Sequence, residues 1–133
     1  MTFLDTNVIL RYFVWDDPVK GERARRLFAR IHAGRERVMT SVLVVAEVVW
    51  VAESQYGYPK VKLIELLQRF LNTPNLEIDR KDLLLAAVNL FELQPIDFID
   101  AYHAVLMQTL GIQQIYSYDT DFDHVAGLRR IEP

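Results

Sequence analysis

Cysteine is absent from this chain of 133 residues. That excludes a disulfide framework and any site built on thiolates, and it fits a reducing compartment. The N-terminus has no basic stretch followed by an apolar region, so no signal peptide is expected. The apolar segment Val42–Ala52, interrupted by Glu47, is far too short to cross a bilayer, so no membrane association is expected. No repeat, low-complexity tract or interdomain linker stands out. Histidine is scarce, with 3 residues, and His32 and His124 carry no pattern. His103, one helical turn after Asp100, reads as a packed, hydrogen-bonded core residue. What remains is a chain that is 51% apolar with a net charge of −3, the profile of one folded cytosolic domain spanning 1–133.

The modest net charge hides an asymmetry. Residues 1–40 carry 8 Lys/Arg against 5 Asp/Glu, and the remainder carries 7 against 13. Many of the early cations lie in "KGERARRLFAR". Arg23, Arg26 and Arg30 recur at helical spacing and share one face, which reads either as a solvated helix surface or as a patch for a polyanion.

Strand and helix signals alternate along the chain. "TFL" reads as a short buried strand and "TNVILRYFV" as a short helix or turn. In "DDPVKGERARRLFARIHAG", Asp17 can cap, Pro18 suits the first helical position and Gly34 can end the helix. "RVMTS" is a strand leading to Ser41, a plausible cap. "VLVVAEVVWVAESQYG" is apolar almost all round and reads as a buried helix. "YPKVKLIELLQRFLN" is an amphipathic helix, "NLEID" a strand and "RKDLLLAAVNLFELQ" a helix. After Pro95 comes the helix "DFIDAYHAVLMQTLG", capped by Asp97, then the strand "IQQIYSYD" and a last strand in "LRRIEP". This order predicts an α/β fold, a parallel twisted sheet flanked by helices on both faces. Ligands of such sheets gather at the carboxyl ends of the strands.

Four places hold acids where packing alone does not put them. Asp5 follows the first strand, where it also suits a helix N-cap. Glu47 is the only charge between Val38 and Ala52; if that helix is buried, the carboxylate needs a cation or a metal. Asp100 stands one turn into an apolar helix, where the dipole alone favours an acid. Asp119, Asp121 and Asp123 follow "IYS", where an acidic loop is the plain alternative. Taken together, acids from distant segments converging on one sheet edge repel one another and oppose folding unless something neutralises them. An all-oxygen donor set suits Mg2+ or Mn2+, which bind substrate phosphates and assist phosphodiester hydrolysis.

With those residues in view, the chain resembles the PIN domain family, and within it the VapC toxins of toxin–antitoxin pairs. "FLDTNVIL", "SVLVVAEVVWV", "DFIDAYHAVL" and "IYSYDTDFD" followed by "LRRIEP" are similar to the family's four motifs, in order and across nearly the whole chain. The resemblance implies a metal-dependent endoribonuclease. It implies that Asp5, Glu47, Asp100 and Asp119 line a Mg2+ or Mn2+ site with Asp121 in support, and that Thr6, Asn7 and Ser117 orient the acids by hydrogen bonds. It further implies an RNA substrate, a homodimer, and a VapB-like antitoxin whose tail brings a basic side chain to the acids. Trp50, Val51, Tyr56 and Tyr58 supply apolar and aromatic surface for such an interface.

Other chemistries with an early strand-end aspartate fit less well. A phosphatase of the haloacid-dehalogenase type needs a second Asp two residues later, where Asn7 stands. A receiver domain needs a late Lys, and the last lysine is Lys81. A housekeeping nuclease of RNA processing, or a silent binding module that keeps the acids without the reaction, are the alternatives to a toxin.

Overall fold

The computed structural model describes all residues, 1–133, in two compact units, Met1–Lys81 and Asp82–Pro133. Strands and helices alternate in both, and every strand pairing is parallel, so the expected α/β class is what the chain adopts. The ladders form a three-stranded sheet in the first unit and a two-stranded one in the second.

In the first unit, β1 (Thr2–Phe3), β2 (Val38–Thr40) and β3 (Leu76–Ile78) pair in the order β1-β2-β3. Side chains alternate: Val38, Thr40, Leu76 and Ile78 are buried, whereas Phe3, Met39 and Glu77 are exposed. β1 was expected to be buried; as an edge strand it leaves Thr2 and Phe3 open, and only the following Leu4 is enclosed. The buried Thr40 hydroxyl donates to the Leu4 carbonyl at 2.8 Å, which pins the chain immediately before Asp5.

The same unit holds four helices: α1 (Thr6–Val14), α2 (Pro18–His32), α3 (Val42–Ser54) and α4 (Lys60–Leu71). The cap expected at Asp17 forms, its carboxylate accepting from the Val19 and Lys20 amides at 3.1 and 3.0 Å. Ser41 caps α3 by accepting from the Val44 amide at 3.2 Å. Tyr12 stacks on Phe28 with centroids 4.0 Å apart, and Phe13 meets Phe28 and Phe70 edge-on. Gly21 on α2 is buried against the ring of Trp15, whose backbone sits in the left-handed region at φ 57°.

One expectation fails here. α3 is not enclosed on every side: Val44, Val45, Val48, Val49 and Ala52 are buried, but Leu43 is 81% and Trp50 63% exposed, with Glu47 on the same open stripe. An all-apolar helix does not declare in its sequence which stripe it turns outward, because little amphipathicity distinguishes one face from another.

The second unit comprises α5 (Lys81–Leu93), which begins at the last residue of the first, α6 (Phe98–Thr109), β4 (Gln114–Tyr116), a 3-10 helix (Thr120–His124) and β5 (Arg129–Ile131), with β4 and β5 paired. Phe91 meets Phe98 edge-on with centroids 6.0 Å apart, and Phe122 and Val125 bury the 3-10 segment. Asp97 caps α6 as expected, accepting from the Asp100 amide at 2.9 Å. His103 is exposed, not the packed core residue that its helix suggested.

Candidate metal centre

Within the second unit, the carboxylates of Asp100, Asp119 and Asp121 converge, with one oxygen from each lying within 4.8 Å of the others. Asp100 comes from the first turn of α6, where the Asp97 cap fixes the backbone. Asp119 and Asp121 come from the loop after β4, at the carboxyl end of that strand. The loop is folded by its own side chains. The Ser117 hydroxyl accepts from the Asp119 amide at 2.9 Å, and the Asp119 carboxylate accepts from the Asp121 amide at 2.9 Å, starting the 3-10 helix. The bond that Ser117 makes is to the backbone of Asp119, not to its carboxylate.

Asp100 is half-buried, and its carboxyl is pushed up to about 6. Burial is the largest cause, followed by the negative charges of Asp97, Asp119 and Asp121; Asp119 is also placed to share a proton with it. A carboxyl raised this far above its usual range by burial and neighbouring acids marks a place that favours a cation. Three carboxylates, one exposed and two half-buried, with neither thiolate nor imidazole among them, form a donor set that fits a hard divalent cation.

Within the first unit, Asp5 stands at the N-cap of α1 with its backbone extended, yet its side chain makes no capping hydrogen bond. The carboxylate is exposed, so the simplest alternative reading of Asp5 as a working cap does not hold. The neighbouring Thr6 hydroxyl is buried with no hydrogen-bond partner, so the orienting bond expected of it is not made, and Asn7 is exposed. Glu47 is exposed on α3. Solvent reaches this carboxylate, so burial does not oblige Glu47 to find a partner, and only the family resemblance assigns it to the acids of the site.

Sequence reasoning missed two features here. The strand expected over "IQQIYSYD" is shorter, ending at Tyr116, and the 3-10 helix that follows at Thr120–His124, capped by Asp119, has no counterpart in the sequence reading. Arg130 was read only as part of a last strand. Its side chain is 15% exposed and reaches Asp123 at 3.0 Å, Glu132 at 3.0 Å and the Ser117 carbonyl at 3.1 Å. The expected basic face of α2 is exposed, but it is laced with acids: Arg26 pairs with Glu22 at 3.2 Å and Arg30 with Glu36 at 2.7 Å.

The family model for the PIN domain matches residues 2–128. Among characterised proteins, the chain is 23% identical over 133 residues to the VapC ribonuclease of Aquifex aeolicus, spanning 100% of this chain and 97% of that one. Among solved structures, it is similar to Mycobacterium tuberculosis VapC20, a Sarcin-Ricin loop cleaving toxin, at 24% identity with both chains covered in full and a TM-score of 0.44. The family match runs through both units and includes every strand end that carries one of the acids described above: the chain belongs to the PIN domain family.

Proposed function

We propose that this protein is a Mg2+- or Mn2+-dependent endoribonuclease, the toxin of a VapBC-like toxin–antitoxin pair, with residues 1–133 acting as one nuclease domain. The observation that carries the reading is the convergence of Asp100, Asp119 and Asp121, with the Asp100 carboxyl pushed up to about 6. The family match through both units and the similarity to a VapC ribonuclease support it.

Asp100, Asp119 and Asp121 would hold the ion, with Asp5 and Glu47 as the further carboxylates that the family pattern supplies. When bound there, a divalent ion supplies a water of lowered pKa and neutralises charge developing on the scissile phosphodiester. The protein's own part is to keep oxygen ligands in place and to manage one proton. Below about pH 6, Asp100 carries a proton beside Asp119; a cation favours the ionised form, so binding in that range would release the proton. The loop bonds of Ser117 and Asp119 fix the ligand positions in advance, so little ordering remains to be done when substrate arrives.

The exposed stripe of Leu43 and Trp50 on α3 supports a homodimer, since apolar and aromatic residues concentrate in interface cores. A VapB-like antitoxin with a basic tail suits the acidic cluster. No helix is long and apolar enough to cross a membrane, in keeping with action on RNA in the cytoplasm.

The test is cleavage of a labelled single-stranded or hairpin RNA by purified protein in Mg2+, Mn2+ or EDTA. Cleavage is expected only with metal. Asp119→Asn and Asp5→Asn are each expected to lose at least about a hundredfold, since even residues that only orient metal ligands cost 10–100-fold. Full activity in EDTA, or no cleavage by a folded wild type with any divalent ion, refutes the reading; the second outcome favours a silent binding module.

A further inference from the structure

We infer that Arg130 is the positioning residue of the metal centre: one guanidinium clamps both ends of the loop that presents Asp119 and Asp121. The inference rests on the proposed metal site and adds a residue that the four-acid pattern does not contain.

The geometry is a chain of hydrogen bonds from Arg130 through Ser117 and Asp119 to Asp121, and the backbone from Asp121 to Asp123 leads back to Arg130. At the start of the loop, Arg130 Nη1 donates to the Ser117 carbonyl at 3.1 Å. Ser117 is held a second time, its amide donating to the Ile131 carbonyl at 3.0 Å. From Ser117 the bonds run on: its hydroxyl accepts from the Asp119 amide, and Asp119 accepts from the Asp121 amide, each at 2.9 Å. At the far end, Arg130 Nε and Nη2 donate to the two oxygens of Asp123 at 3.0 and 3.4 Å. Arg130 Nη1 also donates to Glu132 at 3.0 Å. The two clusterforming ligands therefore sit between two points fixed by the same planar group. The Arg130 side chain is 15% exposed, against 56% for Arg25 of α2, while its acidic partners Asp123 and Glu132 lie open to solvent.

The planar fork is what makes this possible. Arginine presents five donors in a rigid plane and can engage a carboxylate with two of them while a third reaches a carbonyl; lysine offers a point charge and cannot span those acceptors. Pairing Asp123 with a cation also separates it from its neighbours. In "DTDFD" three acids fall within five residues, and the clamp turns the third away as an ion-pair partner.

Positioning and plain electrostatics predict opposite signs. If Arg130 acted only through its charge, removing it would strengthen binding of a dication to nearby carboxylates. If it positions Asp119 and Asp121, removing it weakens binding, because the ligands lose their fixed spacing.

The experiment measures Mn2+ binding to the intact chain, by loss of the free-ion paramagnetic resonance signal, for wild type, Arg130→Gln and Arg130→Lys. Circular dichroism and cooperative melting establish that each is folded. The expected result is a dissociation constant raised about tenfold or more in Arg130→Gln, with Arg130→Lys between it and wild type. In metal-dependent RNA cleavage, the Mn2+ concentration for half-maximal rate should rise while the rate at saturating Mn2+ falls less. Binding by folded Arg130→Gln that is unchanged or tighter overturns the inference. Should Arg130→Gln fail to fold, wild-type affinity in folded Arg130→Lys overturns it equally, since the fork is then dispensable. If the wild type itself binds no Mn2+, the metal site is refuted and the positioning role falls with it; wild-type binding with an insensitive Arg130 refutes the positioning role alone.

Discussion

Replacing Asp100 by asparagine should stabilise the metal-free protein at neutral pH, although it removes a ligand. In the folded state this carboxyl titrates at about 6, against an ordinary value of 3.8. Unscreened, that gap corresponds to about 3 kcal/mol at pH 7. Because the group is only partly enclosed, solvent screening reduces the figure to about 1–2 kcal/mol. The folded state holds more protons than the unfolded one between these two values. Stability is therefore lost as pH rises from about 4 to about 6 and stays low above that window. Asparagine carries no charge and can donate to Asp119 as the protonated acid does. In EDTA at pH 7, Asp100→Asn should thus melt roughly 4–7 °C above wild type for a chain of this length. The advantage should fade below about pH 4, where both states of the wild type are protonated. Mg2+ at about ten times its Kd should stabilise the wild type by about 1.4 kcal/mol and the variant clearly less. Calorimetric or fluorescence melts across pH, with EDTA or Mg2+, make the measurement. An Asp100→Asn protein that melts at or below wild type in EDTA at pH 7, with the same response to Mg2+, refutes the account of crowded carboxylates.

Three other expectations concern the first unit. Asp17→Ala removes the acceptor for two orphan amides of α2 and should cost about 1 kcal/mol in urea unfolding. Gly21→Ala puts a Cβ 2.7 Å from the Trp15 ring and should destabilise the protein; in a Trp15→Ala background the same change should stabilise by up to about 1 kcal/mol, through helix propensity alone. Denaturation of the four proteins of that cycle checks the reversal of sign. Trp50→Glu places a charge on the exposed apolar stripe of α3, and light scattering should show a dimeric wild type shifted to monomer with the fold retained.

The parts of this protein legible in the sequence are those whose causes are local. Asp17, Ser41 and Asp97 cap helices because each side chain reaches amides two or three residues on, a relation already present in the linear order. Short strands separated by helices are enough to dictate parallel pairing, and the acids that follow β1 and β4 can be read off the chain. What only the tertiary structure decided depends on partners far apart in sequence. Helix α3 has valines on nearly every side, and packing rather than composition chose to leave Leu43, Glu47 and Trp50 outside. Asp100 is unremarkable as a first-turn acid; half-burial and the approach of Asp119 and Asp121, about twenty residues later, are what raise its carboxyl. Arg130 reads as one more polar residue of a final strand. Its role exists only because the β4–β5 pairing sets it opposite Ile115, from which its guanidinium reaches both the Ser117 carbonyl and Asp123. Capping is a property of the chain's order, whereas desolvation, charge crowding and clamping depend on distances that the sequence does not contain.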